Sequence, residues 1–170
     1  PVADFSPNRT QRRLMRRNAD LTIEVVPAQF DSRHYDLYAR YICTRHHDGD
    51  MFPPSHEQYR TFLSLDQPYA RLLEMRLDGK LVAVSAFDEL RHGLSAIYTF
   101  FDPDHNLERR SLGTQAVLAL IQMASLKGLP HVYLGYWIEE CRKMSYKSSF
   151  SPLERLDGRL WRRLVPIDSE

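Results

Sequence analysis

The stretch ARLLEMRLDGKLVAVSAFDEL (residues 70–90) decides the fold. Two runs rich in alternating apolar residues flank Asp78-Gly79, and an Asp-Gly pair in that setting is a strong short-range signal for a two-residue hairpin turn. LSAIYTFF (94–101) follows at once and ends at Asp102-Pro103, so three consecutive strands form an antiparallel meander. SLGTQAVLALIQMASLKG (111–128) then reads as a helix, stopped by Gly128 with Pro130 just beyond. Its apolar residues occupy nearly the whole circumference, which predicts a buried helix. HVYLGYW (131–137) reads as an apolar strand that the crossover helix returns parallel to the meander.

Outward from this centre, LTIEVV (21–26) is a further strand, and residues 31–46 carry helical spacing through Tyr35, Tyr38, Ile42 and Cys43. HDGDMFPPS (47–55) is a loop by its glycine and prolines, and HEQYRTFLSL (56–65) returns to helical spacing. EECRKMSYK (139–147) reads as a short helix and RLWRRLV (159–165) as a last strand. The order predicts an α/β (α+β) fold, a mixed, mostly antiparallel sheet with flanking helices. It matches the N-acetyltransferase-like (GNAT) acyltransferase fold, whose ligands sit where the last meander strand and the post-helix strand diverge.

With 170 residues the chain suits one domain with a real core. No apolar run approaches the roughly 18 residues that span a bilayer. The chain opens at Pro1 without a signal peptide and reads as part of something longer. Cys43 and Cys141 lie far apart with no CxxC spacing, which argues for a reducing, cytoplasmic setting and against a disulfide scaffold. Residues 1–20 carry five arginines against Asp4 and Asp20, a net +3, while the remainder sits at −2. The organisation expected is therefore a basic arm over 1–20 and a catalytic domain over 21–170. The arm, with Arg9, Arg12, Arg13 and Arg16, points to a nucleic-acid partner or else to a solvated helix.

Two stretches carry candidate chemistry. HNLERRSLGTQ (105–115) enters the buried helix, and a helix N-terminus presents unpaired N–H groups and a positive dipole end. Arg109 and Arg110 are unfavourable there unless a phosphate, or a salt bridge to Asp104 or Glu108, neutralises them. Arg110 and Gly113 resemble the pyrophosphate loop of coenzyme-A-dependent acetyltransferases, but Gln115 stands where a small residue is expected and should crowd the backbone. In YLGYWIEECRKMSYK (133–147), Tyr133, Tyr136, Trp137 and Tyr146 cluster beside Lys143 and Lys147, spaced i, i+4 on one helix face. Such a surface can stack a base and grip a carboxylate, although each tyrosine alone is equally a core residue. His46, His47, Asp48, Asp50 and His56 lack metal-ligand spacing, so no metal is expected. No nucleophile motif appears.

The stretches RHHDGDM (45–51), IYTFFDPD (97–104), RRSLGT (109–114) and YLGYWIEECRKMSYKSSFSPLE (133–154), with the opening PVADFSPNRTQRRLMRRN (1–18), resemble the C-terminal region of the arginyl/leucyl-tRNA–protein transferase family. The resemblance is closest to the bacterial aspartate/glutamate leucyltransferase branch and covers essentially the whole chain. It implies transfer of leucine from leucyl-tRNA to proteins beginning with Asp or Glu, marking them for degradation. Family members carry a preceding cysteine-containing region that this sequence lacks.

An aminoacyl ester is already activated, so the reaction needs alignment, a proton acceptor and oxyanion donors rather than a covalent nucleophile or a cofactor. Asp102 and Tyr136 are the expected catalytic residues, Asp102 to accept or orient the amine proton unless it only forms a turn. Lys143, Lys147 and Arg45 are expected to hold the acidic side chain of the target, with Tyr98, Tyr133, Trp137 and Tyr146 around it. Arg109, Arg110, Ser111 and Gly113 should follow the tRNA acceptor end. The competing readings are transfer of arginine, a coenzyme-A-dependent N-acetyltransferase, and a non-enzymatic RNA-binding module.

Overall fold

A computed structural model describes residues 1–63, 66–138 and 140–164, apart from the side chains of Arg142 and Lys143. Helix α1 (Arg9–Arg17) and strand β1 (Thr22–Pro27) precede helices α2 (Ser32–Arg45) and α3 (His56–Leu63). The meander is β2 (Ala70–Leu77), β3 (Lys80–Leu90) and β4 (Gly93–Phe101). Helix α4 (Leu112–Leu126), strand β5 (His131–Tyr133) and a hairpin of β6 (Leu153–Asp157) and β7 (Leu160–Leu164) complete the chain. Five strands form one sheet in the order β1-β2-β3-β4-β5, antiparallel until β5 joins β4 in parallel. The mixed sheet with flanking helices agrees with the sequence-based expectation.

The hairpin turns where the Asp-Gly pair predicts. Asp78 and Gly79 both take positive φ, 50° and 79°, the geometry that lets a two-residue turn follow the strand twist. Strand alternation then separates two cores. Leu72, Val84 and Phe100 face α2 and α3, while Leu73, Met75, Ala83 and Phe87 face α4. Helix α4 buries Leu112, Ala116, Leu118 and Leu120, as its apolar circumference predicts.

A bulge in β4 sets the site. Ala86 opposes Tyr98 and Phe87 opposes Ala96, so Ile97 has no counterpart on β3. The extra residue reverses the alternation. Leu94 and Ala96 pack toward α4, whereas Tyr98 and Phe100 pack toward α2 and α3.

Four elements differ from the sequence reading. Strand β5 is three residues rather than seven, because Gly135 takes φ 73° and turns the chain away after Leu134. Residues 105–110 form a separate 3-10 helix, and Ser111, left-handed at φ 43°, divides it from α4. Arg142–Ser149 is a 3-10 helix as well, where positions four apart no longer share one face, so the i, i+4 argument for Lys143 and Lys147 does not hold. The last strand pairs with β6, unforeseen, in a sheet of its own, and its expected end at residue 165 lies outside the described residues.

The basic stretch is also an ordered helix. Asn8 and Gln11 form a reciprocal capping box, and Leu14 packs on Val117, Leu118 and Phe150.

The β4–β5 pairing depends on Gly93. A Cβ there would stand 2.4 Å from the His131 carbonyl oxygen and 2.9 Å from the Tyr133 ring. Backbone cannot yield as a flexible side chain does. Gly93→Ala should cost about 1–3 kcal/mol in urea unfolding through this overpacking, and an unchanged midpoint would show that the two strands tolerate separation.

Candidate active site

Beyond Ser95 and Tyr133 the two parallel strands separate. A cavity of about 970 Å³ opens there. Its β4 side is Ala96–Thr99, α2 supplies Tyr41 and Arg45 with His46 just after it, and the head of α4 supplies Ser111–Thr114. Leu134, Met144, Tyr146 and Lys147 close it from the far side. Ser111 makes no side-chain cap, so the first N–H groups of α4 keep their capacity for a ligand.

The cleft gathers Arg45, Tyr98, Asp102, Ser111, Gly113, Tyr146 and Lys147 of the sequence-predicted set. Arg45 lies over the Phe101 ring at 5.6 Å and pairs with Glu108 at 3.0 Å. Lys147 is buried and donates to the Tyr136 carbonyl, and burial holds its ammonium below the usual lysine range. Burial pushes the phenols of Tyr41, Tyr98 and Tyr146 upward, so all three remain hydrogen-bond donors at neutral pH.

Other predicted residues lie elsewhere. Tyr136 is 89% exposed and contributes its backbone, not its ring, to Lys147. Tyr133, Tyr136 and Trp137 line a different cavity. Arg110 is not free for phosphate: it makes a two-pronged ion pair with Asp20 at 2.7 and 2.9 Å. Its partner is thus neither Asp104 nor Glu108. Arg109 is exposed, and its carbonyl accepts from Arg17. Gln115 does not crowd the loop; it is buried toward α1, where Asn18 Nδ2 donates to its Oε1 at 3.2 Å. The side chain of Lys143 lies outside the described residues. Arg9, Arg12, Arg13 and Arg16 are all exposed on one face of α1, whose C-terminal end is tied to the Arg110 carbonyl through Asn18.

Asp102 borders the cleft, but its carboxylate is already engaged. It is 3% exposed, pairs with Lys80 at 2.9 Å and faces Arg40 at 3.6 Å. Burial alone would raise its pKa; the Lys80 hydrogen bond, the Asp104 backbone N–H and the two cations outweigh it and hold the carboxyl below its usual value. A carboxylate so stabilised is a poor proton acceptor. Sequence reasoning weighed His46 only as a metal ligand and missed Tyr41; the His46 Nε2 and the Tyr41 hydroxyl are 3.2 Å apart on the cleft wall. The signal available was the helix end itself: His46 is the C-cap of α2, directly after Arg45.

Because the folded pKa of Asp102 lies below the unfolded one, its contribution to stability is present above about pH 4. It is lost as pH falls through the folded value. Asp102→Asn should lower stability at pH 7 by about 1–3 kcal/mol and flatten the acid limb of the unfolding curve. An acid limb identical to that of the wild type would refute the pairing.

Among the described residues no helix is long and apolar enough to cross a membrane. The family model for the C terminus of arginine-tRNA-protein transferase matches residues 33–157. The chain is 66% identical over 167 residues to the aspartate/glutamate leucyltransferase of Chromohalobacter salexigens, covering 98% of this chain and 68% of that one. It is 55% identical to the enzyme of the same name from Marinobacter nauticus, over 96% of this chain and 68% of the relative. Solved structures share the fold at low identity. The ribosomal-protein-alanine N-acetyltransferase of Brucella melitensis superposes with a TM-score of 0.56 at 16% identity, covering 84% of this chain and 97% of that one. L-PGS of Bacillus licheniformis gives 0.60 at 13%, covering 95% and 55%. The sheet topology and the sequence matches agree, and the chain belongs to the tRNA–protein transferase family, whose C-terminal region it represents.

Proposed function

We propose that this chain transfers leucine from leucyl-tRNA to the N-terminal α-amine of proteins beginning with Asp or Glu, in the cytoplasm, marking them for degradation. The observation that carries the reading is the cleft between β4 and the departing β5, with the head of α4 on one side and Arg45 and Lys147 beside it. The relatives' shared name supplies leucine and the acidic acceptors.

The incoming α-amine has an ordinary pKa of about 7.7–8.0, so a substantial fraction is neutral at cellular pH. Held in the cleft, its nitrogen attacks the ester carbonyl carbon. His46, oriented by Tyr41, takes the proton that the nitrogen sheds. The bond to the ribose oxygen then breaks, and that oxygen takes a proton from the imidazolium or from water. The N–H groups at the head of α4 oppose the oxyanion charge. This assignment moves the acceptor role from Asp102 to His46, because the Asp102 carboxylate is neutralised by Lys80 and Arg40. Asp102 instead anchors the end of β4, where its N–H donates to the Val82 carbonyl at 2.8 Å.

The acidic side chain of the acceptor is matched by Lys147 and Arg45. A carboxylate arriving at Arg45 replaces Glu108. The exposed arginines of α1 are suited to backbone phosphates, and Arg17 and Asn18 tie that helix to residues 109–110 beside the cleft. Coenzyme A is disfavoured, because Arg110, the cation of the loop resembling a pyrophosphate cradle, is held by Asp20.

Offering labelled leucyl-tRNA and arginyl-tRNA with Asp-, Glu- and Ala-starting peptides should give product only from leucyl-tRNA with the acidic peptides. Product from arginyl-tRNA alone would replace leucine by arginine, and micromolar coenzyme A binding without product would favour an acetyltransferase. Lys147→Met should raise KM for the Asp-peptide about 10-fold or more, the loss of one charge-assisted contact, with less effect on KM for leucyl-tRNA. Equal effects on both would remove Lys147 from acceptor recognition. Replacing Arg9, Arg12, Arg13 and Arg16 by alanine should reduce the slope of log affinity for tRNA against log salt by roughly 3; an unaltered slope would remove α1 from the tRNA site.

A further inference from the structure

A second cavity, of about 540 Å³, lies on the other side of Leu134 and Lys147. Its volume falls within the range typical of small-ligand pockets, roughly 300–1,000 Å³. The walls are mainly apolar, with Tyr133, Leu134 and Phe150 on one side and Leu153 and Trp161 of the β6–β7 hairpin on the other. Tyr133 and Trp161 meet with ring centroids 6.0 Å apart. One carboxylate, Glu154, stands in the wall, three-quarters buried, with His131 Nε2 at 3.8 Å. Two buried nitrogen atoms of the lining residues, His131 Nδ1 and Trp137 Nε1, have no hydrogen-bond partner among the described residues.

This cavity adjoins the cleft across a shared wall. Leu134 and Lys147 line both, and at the junction the Lys147 ammonium is held by the Tyr136 carbonyl. An ester carbonyl placed between the separating strands therefore has an apolar chamber directly beside it.

We propose that this second cavity receives the aminoacyl group of the tRNA, with a branched aliphatic side chain against Tyr133, Leu134, Phe150 and Trp161 and the α-ammonium on Glu154. The assignment rests on the aminoacyl-transfer reading of the cleft and adds the residues that select the transferred amino acid. Apolar walls with a single carboxylate match a group that is hydrocarbon apart from one amine. They do not match an arginyl side chain, which brings a second cation: Glu154 is the carboxylate of the described lining, and the α-ammonium takes it.

The chain's two tryptophans, Trp137 and Trp161, both line this cavity, so intrinsic fluorescence reports its occupancy. The probe is L-leucinamide, which carries the α-amine and the side chain without a free carboxylate, compared with L-argininamide and D-leucinamide. A saturable fluorescence change with L-leucinamide is expected, at least 10-fold weaker with the other two. Glu154→Gln should weaken that binding and raise KM for leucyl-tRNA about 10-fold while leaving KM for the Asp-peptide within 2-fold. A merely structural role would shift both constants together.

The proposal is overturned if wild-type chain transfers leucine but shows no leucinamide response, or if Glu154→Gln changes neither constant. Equal response to all three amides would likewise overturn it, leaving the chamber to a protein partner. If leucinamide binds selectively and no leucine is transferred, the cavity assignment stands as an amino-acid site and the transfer reading of the cleft fails instead.

Discussion

The separation of β4 from β5 is the constraint on which the rest depends. The two strands pair over only three positions, Gly93 to Ser95 against His131 to Tyr133, and the missing side chain at Gly93 permits that approach. Two local devices then force them apart. The bulge at Ile97 turns β4 over, and Gly135 turns the other chain out of the sheet. Were the pairing to continue, the backbone of β4 from Ala96 onward would be occupied by ladder hydrogen bonds. It instead forms one wall of an open cleft.

Everything chemically useful is arranged around that opening by elements that are rigid for other reasons. Helix α4 is fixed by burial of its apolar circumference, so its head is a stable source of N–H groups. Helix α2 is fixed by Leu37, Tyr38 and Ile42 in the opposite core, and its last turn delivers Tyr41, Arg45 and His46. Asp102 closes β4 through ion pairs to β3 and α2, leaving its carboxylate without basicity to offer. The imidazole of His46 stands on the same cleft wall beside the Tyr41 hydroxyl, and imidazole is the side chain most often used for proton transfer.

Local signals were legible in the sequence and distant ones were not. Asp78-Gly79, the apolar circumference of α4 and the Gly128 stop each act within a few residues, and each appears where expected. HVYLGYW looks like one strand because every residue but glycine has strand character, yet its pairing ends with Tyr133. Strand β6 escaped because LERLD alternates weakly and is stabilised by β7. Several candidate residues are placed differently from their local reading for the same reason. Arg110 is neutralised by an aspartate 90 positions earlier, and Gln115 is turned away by an asparagine 97 positions earlier. The i, i+4 reading of Lys143 and Lys147 presumed an α-helix where the chain forms a 3-10 helix. Tyr136 was singled out for its ring, whereas its carbonyl is what meets Lys147.

Obstructing the cleft from its rim tests the central claim most directly. Thr114 sits in the first turn of α4, partly exposed and facing the opening. A tryptophan there fills the gap without removing a core contact. Single-turnover transfer from leucyl-tRNA should fall by about 100-fold or more, the scale expected when reacting groups lose alignment, with the melting temperature unchanged. Transfer at the wild-type rate by a fully folded Thr114→Trp chain would contradict the account, because the reaction would then be taking place somewhere other than between the separated strands.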